Sequence, residues 1–151
     1  MRLKGKVATV TGRGRGIGAT ICNAFVREGA AVVVADLNGD DASRTAEQLK
    51  KSGGRAVAFE MDVSNPDHAD AMATRAVDNF GSLDIHVNDA GISQSTPFLE
   101  TRIEDWERML QVNLTGAFLC SQAAVRRMLD SGGGGQVINI TSLSGQRGGT
   151  G

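Results

Sequence analysis

Short β-branched runs alternate with longer stretches of helically spaced apolar residues along the whole chain. This alternation limits the fold more than any other feature. Residues 6–11, 31–35, 55–61, 83–88 and 136–141 read as strands. The run Ala31, Val32, Val33, Val34, Ala35 has no polar alternation, as expected of a strand covered on both faces. Between the strands, residues 17–28, 41–52, a segment from Ser64 to about Asn79, a short stretch from Thr101 through Met109 and a long one from Leu114 to Leu129 have helical spacing. Ile17, Ile21, Ala24 and Phe25 form the expected inner face of the first helix, and Ala42, Ala46 and Leu49 that of the second. Ser64 with Asp67, and Thr101 with Glu104, have capping-box spacing and are expected to open their helices. Glycines after Glu28, Ser52 and Asn79 are placed to end helices. The four glycines 132–135 allow a linker or a helix-to-strand turn, and the strand directly after them favours the turn. Parallel strands need long crossovers, which are right-handed, so the expectation is an α/β fold with a doubly wound, Rossmann-type parallel sheet of five strands.

Composition bears on partners. The 151 residues suit one domain, taken as residues 1–151, and no composition shift marks a linker. Sixteen basic against seventeen acidic residues leave a net charge of −1, so neither nucleic acid nor an anionic membrane surface is expected as a partner. No apolar stretch approaches the ~20 residues needed to span a bilayer, and the basic start is not followed by a secretory apolar region. Cys22 and Cys120 sit in helical patterns and read as reduced core thiols of a cytoplasmic protein. His68 and His86 have no acidic or cysteine partner at ligand spacing, so no metal site is expected. His86 reads as packing in or beside the fourth strand. Trp106, Met109 and Phe118 read as core-facing.

The loop over residues 11–18 joins the first strand to the first helix and contains Gly12, Gly14, Gly16 and Gly18. Glycines let the main chain approach a ligand closely, and the helix start aims unpaired N–H groups and a positive dipole end at the turn. A dinucleotide's diphosphate suits such a site. Asp36 closes the second strand, where a carboxylate can accept hydrogen bonds from ribose hydroxyls. Its charge, with Leu37 beside it, points to NAD; Arg13 and Arg15 could reach a 2′-phosphate and leave NADP open as the lesser expectation.

At this point the chain resembles the classical short-chain dehydrogenases/reductases. Residues 11–18 match the family's Thr-Gly-x-x-x-Gly-x-Gly loop, Asp62-Val63 the adenine-contacting pair, and Asn88-Asp89-Ala90-Gly91 the Asn-Asn-Ala-Gly motif. Asn113 lies where the family keeps a helix asparagine, and Ser142 where it keeps the active-site serine. The resemblance implies cofactor contacts from Gly12, Arg15, Gly16, Ile17, Gly18, Asp36, Asp62, Val63, Asn88, Ala90 and Gly91, and catalytic roles for Ser142 and Asn113. It implies hydride transfer between a nicotinamide and a small carbonyl or secondary-alcohol substrate, and a homotetramer for the full-length form.

Two departures qualify this. Asp89 replaces an asparagine, so a group that only accepts hydrogen bonds stands where an amide would also donate. The family's Tyr-x-x-x-Lys pair has no counterpart: the chain has no tyrosine, and Lys51 is its last lysine. The resemblance thus implies further strands and helices past Gly151 and a chain without dehydrogenase turnover of its own, since acid–base assistance is worth about 10²–10⁴ in rate. The alternative is a non-catalytic NAD-binding or interaction module. The fifth strand, with Val137, Ile138 and Ile140, is expected to be an exposed apolar edge.

Overall fold

The computed structural model describes residues 1–12 and 16–143. Five strands, β1 (Val7–Thr11), β2 (Ala31–Asp36), β3 (Arg55–Glu60), β4 (Ile85–Asn88) and β5 (Gln136–Asn139), form one parallel sheet in the order β3-β2-β1-β4-β5. The sheet is the doubly wound arrangement expected from the alternation. β1 is central and buried along its whole length, as are Ala31 to Ala35 of β2, which explains their unbroken apolar character.

Each face of the sheet carries its own core. Ala8, Val10, Val32, Val34, Ile85 and Val87 pack under α1 (Ile17–Arg27) and α2 (Gly39–Lys51), while Val7, Ala31, Val33 and Ala35 pack under α3 (Pro66–Phe80) and α5 (Ala117–Asp130). Ala42, Ala46 and Leu49 are buried as expected. On α1 the inner face is instead centred on Gly18, Cys22 and Val26. Ile21 and Phe25 flank it, whereas Ile17 and Ala24 turn outward. Cys22 and Cys120 are buried on opposite faces of the sheet.

Three helix starts differ from the sequence expectation. Asn38 caps α2, accepting from the N–H groups of Asp40 at 3.0 Å and Asp41 at 3.1 Å, so the helix begins before residue 41. Asn65, not Ser64, caps α3, because the Ser64 hydroxyl is held at 2.6 Å by the Asp62 carboxylate. Thr101 makes no capping box: its hydroxyl donates to the Pro97 carbonyl at 3.2 Å, and α4 (Ile103–Leu110) starts after Arg102 without a side-chain cap.

The short and long helices expected near Asn113 are one continuous helical run over residues 103–130. Its middle, Gln111–Gly116, is a π-helical turn. The widened turn shifts the apolar spacing by a residue, which in sequence looks like a break. The core-facing expectation for two aromatic side chains on this run is overturned: Trp106 is 53% and Phe118 60% exposed, because α4 and the start of α5 present that side to solvent. β5 pairs with β4 alone among the described residues, and Ile138 and Ile140 are exposed along it, as expected of an apolar edge.

Candidate functional site

The sheet order reverses between β1 and β4. There the crevice beyond the strand ends opens into a cleft of about 640 Å³. Six of the residues singled out from the sequence line it: Gly12, Asp36, Asp62, Val63, Ala90 and Gly91. Gly12 has φ +75°, and a Cβ there would lie 2.6 Å from the Ala90 main chain, so the ends of β1 and β4 meet only because this residue is glycine. Thr11 secures the same junction. Its Oγ1 accepts from the N–H groups of Asp89 at 3.2 Å and Ala90 at 3.3 Å.

The rim of the cleft is acidic. Asp36, Asp41, Asp62 and Asp89 line it against one cation among the described lining residues, Arg108. One Asp36 oxygen accepts from the Asn38 N–H at 2.9 Å, fixing the carboxylate at the end of β2. Asp62 is held by Ser64, whose hydroxyl donates at 2.6 Å and whose N–H donates at 2.9 Å to the same oxygen. These bonds, hydroxyl first, keep its pKa below the usual carboxylate range against the opposing effect of burial, with smaller help from His68 and Arg108. The Asp62 N–H in turn donates to His68 Nδ1 at 3.0 Å. Sequence reasoning gave His68 and Arg108 no part here. His68 follows the α3 cap by one turn, and Arg108 comes from a helix far along the chain, so neither leaves a local signal.

At the start of α1, Gly16 takes φ 71° and, among the described residues, no side chain caps the helix, whose first turn holds no acidic residue. Gly18 is buried and Ile17 exposed. Arg15 lies outside the described residues, as do Arg13 and Gly14.

The remaining expected residues divide. Asn88 is buried, and its carboxamide bonds to His86, Ser121 and Asn139 within the protein, not into the cleft. Asn113 sits in the π-helical turn and clasps Ile92, donating to its carbonyl at 2.9 Å and accepting from its N–H at 2.8 Å. Gly91 brings its main chain close to the same Asn113 oxygen. Gly116, at the end of the turn, packs on Val63, where a Cβ would come within 2.7 Å of the valine methyl. The π-helical turn therefore closes one wall of the cleft. Ser142 stands exposed, three residues past the end of β5.

Residues 6–151 match the family model described as short chain dehydrogenase. The chain belongs to the short-chain dehydrogenase family. It is 39% identical over 148 residues to sorbitol dehydrogenase of Cereibacter sphaeroides, covering 98% of this chain and 57% of that one. It is 41% identical over 141 residues to D-threitol dehydrogenase of Mycolicibacterium smegmatis, covering 93% and 54%. A crystal structure of a short-chain type dehydrogenase/reductase from Mycobacterium marinum superposes with a TM-score of 0.94 at 36% identity, covering 97% of this chain and 60% of that one. The chain thus spans little more than half the length of these relatives. Among the described residues no helix is long and apolar enough to cross a membrane.

Proposed function

We propose that this chain is the NAD-binding part of a short-chain oxidoreductase acting on a small carbonyl or secondary-alcohol substrate. The observation that carries the reading is that Gly12, at the end of β1, and Asp36, at the end of β2, line one cleft, with the Gly16 start of α1 following Gly12 in the chain. The chain leaves β1 at Gly12 for the start of α1, whose N–H groups and dipole favour a diphosphate, and Asp36 is placed for ribose hydroxyls. Asp62, Val63, Ala90 and Gly91 would take the adenine side. When bound, the dinucleotide supplies a carbon that gives or receives hydride.

The acidic rim supports NAD over NADP. A 2′-phosphate brought to ~4 Å from the Asp36 carboxylate would cost ~1–4 kcal/mol, depending on how far the cleft is desolvated.

Ser142 would polarise the substrate oxygen, and Asn113 would fix the π-helical turn to the segment after β4. With no tyrosine and no lysine after Lys51, residues 1–151 lack the Tyr–Lys pair for the proton donor's task, so we infer no useful turnover from them alone. Relatives of similar identity are named for sorbitol, D-threitol, 3β-hydroxysteroids and 3-oxoacyl-[acyl-carrier-protein]. This spread supports the reaction type and favours no one substrate. The exposed apolar side chains Ile103, Trp106, Leu114 and Phe118 on α4, the π-helical turn and α5 support an assembly of copies.

Calorimetric titration tests the reading. NAD should bind, NADP should bind at least tenfold more weakly, and Asp36→Ala should erase that difference. Well-folded protein that ignores both dinucleotides at millimolar concentration would remove it.

A further inference from the structure

A run of side-chain hydrogen bonds crosses the sheet beneath the cleft. Thr9 and His86 are register partners on β1 and β4, and Asn88 and Asn139 on β4 and β5. Strand alternation turns Thr9, His86 and Asn88 toward the α3/α5 face, where Val7 also lies. Donors and acceptors along the run can be assigned from one end. The Ser121 hydroxyl donates to the Ala117 carbonyl at 2.6 Å, so it accepts from the Asn88 amide nitrogen at 2.8 Å. That nitrogen also donates to Asn139 Oδ1 at 2.8 Å. Asn88 Oδ1 is left facing His86 Nε2 at 2.9 Å and requires a donor there. The imidazole, wholly buried, therefore carries its proton on Nε2, and Nδ1 accepts from the Thr9 hydroxyl at 2.8 Å.

We propose that His86 is a positioning residue: its Nε2–H, with Nδ1 satisfied by the Thr9 hydroxyl, locks the Asn88 carboxamide in the orientation that ties β5 and α5 to β4. The reversed carboxamide would set an NH₂ against Nε2–H and an oxygen against Asn139 Oδ1, opposing two donors at one end and two acceptors at the other. A buried group left unpaired in this way is costly, so one orientation is enforced. An apolar residue at position 86 would fill the space and leave the carboxamide without that restraint. The consequence reaches the site through the chain itself. Asn88 immediately precedes the Asp89–Ala90–Gly91 wall of the cleft, and Asn139 precedes Ser142 by three residues. That consequence rests on the dinucleotide reading of the cleft; the direction of the hydrogen bonds does not.

Long-range ¹H–¹⁵N correlation spectra of the chain should show His86 protonated at Nε2 and bare at Nδ1, with slowly exchanging Asn88 carboxamide protons. Thr9→Val and His86→Leu should speed that exchange by about tenfold, the factor for one buried hydrogen bond, with the circular dichroism spectrum unchanged. A ring protonated at Nδ1, or Asn88 protection in both variants equal to that of the unaltered chain, overturns the proposal. If neither variant folds, the tautomer of the unaltered chain still decides. Titrating NAD into the same samples separates the two readings: an Nε2–H ring without NAD affinity would sustain His86 and remove the dinucleotide assignment.

Discussion

Asn113 and Ile92 bond to each other as two strand residues would: the Asn113 amide donates to the Ile92 carbonyl at 2.9 Å while its oxygen accepts from the Ile92 N–H at 2.8 Å. A side chain thus does the work of a backbone pair, joining the π-helical turn to the segment after β4. Because both groups are exposed, the net contribution is ~0.5–1.5 kcal/mol. Asn113→Ala should lower the unfolding free energy by that amount, with the denaturant slope unchanged. Amide exchange at Ile92 should accelerate selectively. Unaltered protection of the Ile92 N–H would show that the pair is not formed in solution.

Gly12 permits a closer approach than any side chain would. A methyl there meets the Ala90 main chain at 2.6 Å, with φ at +75°. The left-handed backbone costs an alanine ~1–2 kcal/mol, and overpacking adds ~1–3 kcal/mol. Gly12→Ala should lower stability by roughly 2–5 kcal/mol and abolish measurable dinucleotide binding, read by urea unfolding and calorimetry on one sample. Retained affinity in a folded variant would place the ligand elsewhere.

The strands could be placed from sequence because burial on both faces leaves residues 31–35 without a polar interruption, and one-sided helices such as α2 repeat their small apolar residues faithfully. Capping was harder. Ser64 and Asn65 are adjacent and both competent, and the choice falls to Asn65 only because Asp62 engages the serine. Trp106 and Phe118 read as core residues, since an outward face meant for contact has the same apolar spacing as an inward one. In the site, Gly12, Asp36 and Asp62 are legible because each lies at or just past a strand end, whereas Arg108 reaches the cleft through tertiary packing that no local pattern records. Asn88 matched a motif, yet its partners His86, Ser121 and Asn139 come from three different elements or positions and emerge only with the folded sheet.

The β5 edge should govern how the chain behaves in solution. Ile138 and Ile140 are exposed beside a row of backbone groups with no further strand among the described residues. An apolar edge of this kind templates pairing with other chains, and a lysine there opposes it. Ile138→Lys should shift the concentration at which light scattering rises to higher values without changing the cooperative unfolding transition. An unchanged onset would locate self-association on another surface, with the exposed α4 and α5 side chains next to be tested.

His86 should set the acid limit of stability. Burial pushes its pKa from 6.5 down to about 4, against the smaller opposing effect of its hydrogen bond to Asn88. The fold therefore prefers the neutral ring, while the unfolded chain takes up a proton below 6.5. This contribution is fully present above pH 6.5 and is lost as the pH falls through 4, amounting to about 3 kcal/mol by the linkage of pKa to stability. Asp62 and Asp84 act in a lower window. Burial raises the Asp84 carboxyl, but hydrogen bonds from Lys6, the Val7 N–H and Ser82 outweigh it, and Ser64 likewise holds Asp62 down, so both lose their contribution below the ordinary carboxylate range. Urea midpoints measured from pH 7.5 to 4 should fall steeply for the unaltered chain and more gently for His86→Leu. Parallel curves would show that the imidazole accepts its proton within the folded sheet at no cost, and the buried hydrogen-bond run would then have to be open to water.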